Sequence, residues 1–373
     1  MYSYLFTVIV AICVVALVLR RDSKLVSALM AVALFLVVAL RGPDVGPDTK
    51  KYLFFFRFGS YGTDTRDFEP LFEYFNQYLL SLGLSDRMFL IICAVLSIGI
   101  VLYTIWKASS FKILSVALLL ACFQWSFYLT GIRQGIAMGF FALGVYLMQD
   151  FYQLRSFRDF KIEAQIKTVL AAVLMMISVF FHTTALFAVL IFIVVFFFRA
   201  DSKFYLIAIA ISFVVAIYGA FTSIGEVMES VFDIVEGRMS MADRYEGYLN
   251  TKDSFSEIPL YLMLKDLLPF NVIAVACLIY NRDKKYTVYE HLYFWLVIAA
   301  NLLHSFSYMF RMRQYLYPMA AVAVATLMFP ILKRRKLSTI IPVTLLIAYV
   351  ILSAIVTYVI LIAMDEYNYT FLG

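Results

Sequence analysis

Residues 41–52 read RGPDVGPDTKKY, and they interrupt a chain that is otherwise almost all hydrocarbon. Arg41, Asp44, Asp48, Lys50 and Lys51 stand there beside two glycines and two prolines. Gly and Pro end a helix and favour a fixed turn. A lipid-facing segment cannot leave so many polar groups unpaired. The stretch therefore reads as a polar segment held just outside a membrane, between hydrophobic spans.

Working outward from it, the 373 residues are 64% hydrophobic and 15% charged. That balance describes a polytopic membrane protein, all-α, and not a soluble enzyme. Apolar runs fall at 2–19, 25–40, 88–106, 111–129, 131–148, 165–181, 183–198, 204–222, 259–280, 291–310, 312–331 and 338–362. These are about 12 candidate spans, against the roughly 20 residues that a helix needs to cross about 30 Å of hydrocarbon. Tyr2–Leu19 lacks a positive n-region and runs straight into Arg20, Arg21 and Lys24, so it reads as a retained first span and not as a cleaved signal. With no internal repeat or linker, residues 1–373 form a single integral membrane domain.

The net charge of +6 is an orientation signal. With the loop at Arg20–Lys24 cytoplasmic, strict alternation places six loops inside, and these hold 18 of the 31 Lys and Arg but only 7 of the 25 acidic residues. The inner side is then +11 and the outer side −5, with both termini facing out. This parity requires a hairpin at Phe181-His182-Thr183-Thr184 instead of one long helix over 165–198. It also requires a turn near Thr130-Gly131, which leaves Arg133 at the outer start of the next span.

Two outer loops remain, 41–87 and 223–258. In the first, Phe68, Leu71, Phe72, Phe75 and Leu79 recur at helical spacing, while Glu69, Glu73 and Asn76 share another face. The spacing predicts an amphipathic helix lying on the outer leaflet, apolar side down. The second loop is acidic early and ends in Arg238, Arg244, Tyr245 and Tyr248.

Under this topology the unusual polar residues gather at the outer surface: Arg41, Asp44, Asp48, Glu69, Arg133, His182, Arg238, Arg244, Arg311 and Arg313. Arginine suits phosphate, because its planar fork is permanently charged and binds two oxygens at once. Ionisable groups within a span are costly and mark function by default. Arg133 in GIRQGIA has a plainer alternative, snorkelling to headgroups, and Arg311 with Arg313 can be a short positive loop end. His304, Tyr308 and Arg311 share a helix face, and His291 reads as a cytoplasmic boundary residue. Lys265 and Asp266 are either an intramembrane pair or the start of a span. Cys13, Cys93, Cys122 and Cys277 lie in apolar runs without metal or disulfide spacing and read as inert thiols. No Walker-A loop, HExxH, GxSxG or CxxC is present, so ATP-driven transport, zinc proteolysis and α/β-hydrolase chemistry have no supporting residues.

RGPDVGPDTKKYLFFF, then EPLFEYFN, GIRQGIA and FFHTTAL, resemble in that order the EpsG/Wzy-type family of bacterial polysaccharide polymerases. The motifs cover residues 41–190; the C-terminal half matches in hydropathy and in the cluster FRMRQYLYP. The resemblance implies a GT-C-like glycosyltransferase architecture in the bacterial cytoplasmic (inner) membrane; no cofactor is expected, and no metal either, since the pattern offers no convincing ligand set and the arginines could replace one. It implies undecaprenyl-pyrophosphate-linked oligosaccharide as substrate, membrane lipids around it, a chain-length regulator and a flippase as partners, and no nucleic acid. The growing chain would pass from its lipid pyrophosphate to a hydroxyl of the next lipid-linked repeat. Such chemistry needs cations where the leaving pyrophosphate gathers charge, for which Arg133, Arg311 and Arg313 are the candidates, with Arg244 and Arg41 behind them. Proton removal from the acceptor suits His182, Asp48 or Glu69. Asp44, Gln134, Tyr245 and Tyr315 are the candidate substrate contacts. Two other classes stay open: a flippase or transporter of the same glycans, and an O-antigen ligase or membrane acyltransferase.

Overall fold

A computed structural model describes residues 2–46, 48–59, 69–121, 127–154, 162–217, 260–282, 284–304, 309–334 and 339–363. Among them every regular element is a helix. The first are α1 (Tyr2–Leu19), α2 (Lys24–Ala39), α3 (Thr49–Phe58), α4 (Pro70–Ser81) and α5 (Asp86–Ala108). Next come α6 (Lys112–Ala121), α7 (Phe127–Thr130), α8 (Ile132–Leu154), α9 (Ile162–Phe181), α10 (Ala185–Phe197) and α11 (Ser202–Ile217). The remainder are α12 (Leu260–Tyr280), α13 (Val288–Leu302), the short α14 (Met309–Arg313), α15 (Tyr317–Lys333) and α16 (Ile340–Ala363).

Each of the twelve apolar runs holds helix. Among the described residues three helical stretches are long and apolar enough to cross a membrane: Asp86–Ala108, Ile162–Phe181 and Arg311–Lys333. The outward faces are as apolar as the core. Val8, Val15, Leu29, Leu36, Val173, Phe180, Leu190 and Ile211 are all exposed on the helices that carry them. A helix that is hydrophobic all round belongs in hydrocarbon or in the heart of a large core, and so much exposed apolar surface would drive aggregation in water.

The strut of the bundle is α8. Gly139 lies against a π-helical turn of α5 at Val95–Gly99, where a Cβ would stand 2.0 Å from the Leu96 carbonyl oxygen. Small residues four apart let two backbones touch in this way. On its other side, Ser178 of α9 donates to the Ala137 carbonyl at 2.7 Å, which pins α9 to α8.

The chain reverses after α9. Ala185 N donates to His182 O, and Leu186 N to Thr183 O, closing the turn. The far end of α10 then lies beside the far end of α8: Tyr152 donates to the Val195 carbonyl at 3.4 Å, and Phe151 stacks on Phe196 at 5.3 Å. Residues 165–198 are therefore a hairpin, as the charge pattern requires. Thirteen residues of α10 rise about 20 Å, short of a full bilayer core.

Two ends emerge. At one, Arg20 donates to the Leu332 carbonyl, Asp22 accepts from the backbone of Lys112 and Ile113, and Ser202 donates to the Arg282 carbonyl. The Arg199 guanidinium lies 3.9 Å from the Tyr152 ring centroid at that same end. The described parts of the basic loops thus gather together, opposite the turn at His182.

The helix expected at 68–79 is α4, and its setting differs from the expectation. It packs against α3 and α9, with Phe72 fully buried against Tyr52 and Phe75 edge-on to Phe181. Glu69 and Asn76, from the stripe set apart as polar, are buried on the same side as Phe72 and Leu79. A carboxylate with a guanidinium and an imidazole to receive it is more stable facing the protein than facing water.

Candidate functional site

Glu69 occupies the position just before α4, but its side chain does not cap that helix. Its carbonyl begins the helical ladder by accepting from Phe72 N and Glu73 N. Pro70, with φ preset for a first turn, follows it. The carboxylate is thereby free to turn into the bundle, where it is 5% exposed. Oε2 accepts from Arg133 Nη1 at 2.5 Å, and Oε1 meets His182 Nδ1 at 2.6 Å and Thr183 N at 3.4 Å.

Arg133 stands in the first turn of α8. Its Nε donates to the Tyr52 hydroxyl at 3.3 Å, so the last residue of RGPDVGPDTKKY reaches the same guanidinium. The neighbouring Gln134 donates to the Arg311 carbonyl at 2.6 Å, and the Thr184 and Tyr315 hydroxyls lie 3.1 Å apart. Segment 309–316 is thus tied to both the α8 start and the α9–α10 turn. Arg311 is exposed, and its charge acts on His182. Arg313, two residues on, has a buried Nε that meets no partner among the described residues.

Burial alone would raise the Glu69 carboxyl. The hydrogen bond from His182, the charges of His182 and Arg133 and a backbone hydrogen bond outweigh it and bring it to about 2. At neutral pH Glu69 is therefore an ionised acceptor. An acceptor-only carboxylate requires a proton on the facing ring nitrogen, so His182 carries its hydrogen on Nδ1. Burial lowers the His182 pKa below its ordinary value; Arg133 and Arg311 push the same way, against Glu69. The ring is then neutral near pH 7, with Nε2 as a proton acceptor. Chemically the cluster offers one base, one fixed anion and several cations at a single end of the bundle.

Other expected site residues sit apart from this chain of contacts. Arg41 is 1% exposed and donates from Nη1 to the Val38 carbonyl at 2.6 Å and from Nε to Thr49 at 3.4 Å. It closes the C-terminal end of α2, whose last carbonyls need donors. Gly46, at φ +84°, lets the segment pass close to α7, since a Cβ there would stand 2.5 Å from the Leu129 carbonyl oxygen. Asp44 pairs with Lys50, and Asp48 with Lys51, both near the surface. Arg244, Tyr245, Arg238, Tyr248, Tyr308, Cys122 and loop 223–258 lie outside the described residues, as do the side chains of Lys265 and Asp266. His291 is buried at the opposite end, 2.6 Å from the Tyr205 hydroxyl. Among the described residues no group of three or more His, Cys, Asp or Glu forms that could hold a metal.

Tyr52, Thr183 and Thr184 were not named as site residues from sequence. All three lie inside quoted motifs, and a hydroxyl within a few residues of a membrane arginine or histidine was the available signal.

Fold and site together define a helical membrane protein whose ionisable chemistry is concentrated at the end away from its basic loops. The chain belongs to the EpsG family, whose family model matches residues 24–371. No curated protein and no solved structure matches it. The family is associated with polysaccharide polymerase, that is glycosyltransferase, activity.

Proposed function

We propose that this protein joins undecaprenyl-pyrophosphate-linked oligosaccharide repeats at the outer face of the bacterial cytoplasmic membrane, through about 12 spans with both termini outside. The anomeric carbon of the growing chain loses its bond to the lipid pyrophosphate oxygen, which leaves with the electron pair. A new bond forms to a hydroxyl of the incoming repeat, whose proton passes to a base at the site. The supporting observation is the contact chain from Arg133 through Glu69 to His182, with Arg311 alongside, at the end opposite the basic loops. The positive-inside rule turns that end outward, where lipid-linked repeats present their sugars. Arginine charge meets the departing pyrophosphate, and low dielectric at the bilayer edge strengthens that interaction.

The test is reconstitution of the full chain in proteoliposomes with a lipid-linked repeat, read as a ladder of glycan lengths. A ladder is expected. Transbilayer movement of the repeat without lengthening would instead make the protein a flippase, and transfer to a different acceptor would make it a ligase.

A further inference from the structure

The cations of the cluster are not equivalent. Arg133 faces the Glu69 carboxylate and the Tyr52 hydroxyl, so its charge is already answered. Among the described residues Arg311 and Arg313 pair with no carboxylate. Among the described residues the charged and titratable groups around the His182 turn are Glu69 from the α4 start, Arg133 from α8 with Tyr52 of α3 behind it, Arg311 from α14, and Tyr315, which meets Thr184 of the same turn. The Glu69–Arg133 pair is neutral as a unit. Among the described residues Arg311 and Arg313 then leave two positive charges, which matches the two ionised phosphoryl oxygens of a pyrophosphate diester.

We infer that Glu69 and Arg133 form a neutral positioning pair that orients His182 for proton transfer, while Arg311 and Arg313 are the two cations that take the substrate pyrophosphate. This rests on the polymerase reading. Glu69 acts through His182: it holds the hydrogen on Nδ1 and presents Nε2 to the acceptor hydroxyl. The proton moves from that hydroxyl to Nε2 as the new glycosidic bond forms, and the pyrophosphate departs onto Arg311 and Arg313. Arg133 keeps Glu69 ionised and in place, and Gln134 beside it holds the Arg311 backbone, so one turn of α8 sets both halves of the site.

The sign of one effect separates this arrangement from its rivals. Removing the Glu69 charge frees the Arg133 guanidinium and subtracts an anion, so anion binding should strengthen while turnover falls. The experiment measures turnover across pH in proteoliposomes, and separately the binding of inorganic pyrophosphate to the detergent-solubilised full chain. Glu69→Gln is expected to lower kcat on the order of 100-fold, to move the acid limb of the pH profile downward, and to bind pyrophosphate at least as tightly as the parent. Glu69→Asp should recover part of the turnover. Arg311→Gln and Arg313→Gln should each weaken pyrophosphate binding about 10-fold, the loss of a charge-assisted hydrogen bond. Weaker pyrophosphate binding in Glu69→Gln than in either arginine variant, or an unmoved acid limb, overturns the division of labour. If the parent protein makes no ladder, the polymerase reading fails by itself. The order of pyrophosphate affinities still decides which arginines hold the anion.

Discussion

The two ends of the bundle spend their polar groups in opposite ways. At the basic-loop end charged side chains are spent mainly on backbone amides and carbonyls. Asp22 caps α6 through two backbone amides, Arg20 meets the Leu332 carbonyl, and Lys284 pairs with Glu290, which also closes a capping box with Thr287. At the His182 end, side chains from α4, α8 and the α9–α10 turn meet one another, and two arginines two residues apart remain without a carboxylate among the described residues. Side chains that meet backbone groups hold loops in place; side chains from several helices that meet one another mark the candidate site. Substitutions that separate the two behaviours test that contrast.

The largest separation is expected between the two buried histidines. His182→Gln removes the Nε2 base and should cut polymer formation by about 100- to 10,000-fold, with the protein still folded in the membrane. His291→Gln, at the loop end, changes a contact with Tyr205 and should leave the product ladder near that of the parent. Equal losses in the two variants would erase the distinction between the ends. Both are read from ladder length and initial rate in proteoliposomes at matched protein amount.

The next effect is on the strut that joins the ends. Gly139→Val drives a side chain into the Leu96 carbonyl across a backbone-to-backbone contact with no flexible atom to yield. Overpacking of this kind costs about 1–3 kcal/mol, seen as a lower thermal midpoint in detergent. Gly59→Val has open space around its Cβ but sits at φ +68°, so only local strain at the end of α3 is expected there.

The pH profile gives a smaller but more pointed measure. Glu69 ionises at about 2, against an ordinary value of 4.5. Its contribution to stability is therefore complete above pH 4.5 and is lost only as pH falls toward 2. His182 has its pKa below the ordinary 6.5, and the base works only when neutral. Activity should hold as pH drops to 6.5 and fall off below it, through an acid limb that reports the imidazole. A limb that survives in His182→Gln would assign it to another group.

Much of this was legible from residues alone, for a physical reason. Hydrocarbon thickness sets span length, so the apolar, all-helical character was readable; among the described residues three helical stretches reach spanning length and the other apolar helices are shorter. Loop charge then predicted the reversal at Phe181-His182, which brings Arg133 and His182 to one end. Glu69 was harder to read. A glutamate before Pro70 looks like a helix start in water, and nothing local says that its side chain turns inward to partners 64 and 113 residues away. The burial of Arg41 was equally hard to read. The carbonyls at the end of α2 and the close pass of Gly46 along Leu129 draw its guanidinium inside, and both depend on tertiary contacts. Periodicity placed α4 but not its face, because Phe72 and Leu79 are buried together with Glu69 and Asn76.

The smallest expected effect sharpens the contrast from the other side. Asp22→Ala removes both acceptors that Lys112 N and Ile113 N use at 3.0 Å, and leaves the α6 start uncapped at the loop end. Such caps contribute about 1 kcal/mol, so the thermal midpoint in detergent should fall by a few degrees. Turnover per folded molecule should not change, because no contact described here carries Asp22 to the His182 turn. Asp22→Asn keeps an oxygen to accept one amide and should recover part of the stability. A loss of turnover in Asp22→Ala beyond its loss of folded protein would mean that the loop end governs the chemistry. The two ends would then have to be treated as one coupled device.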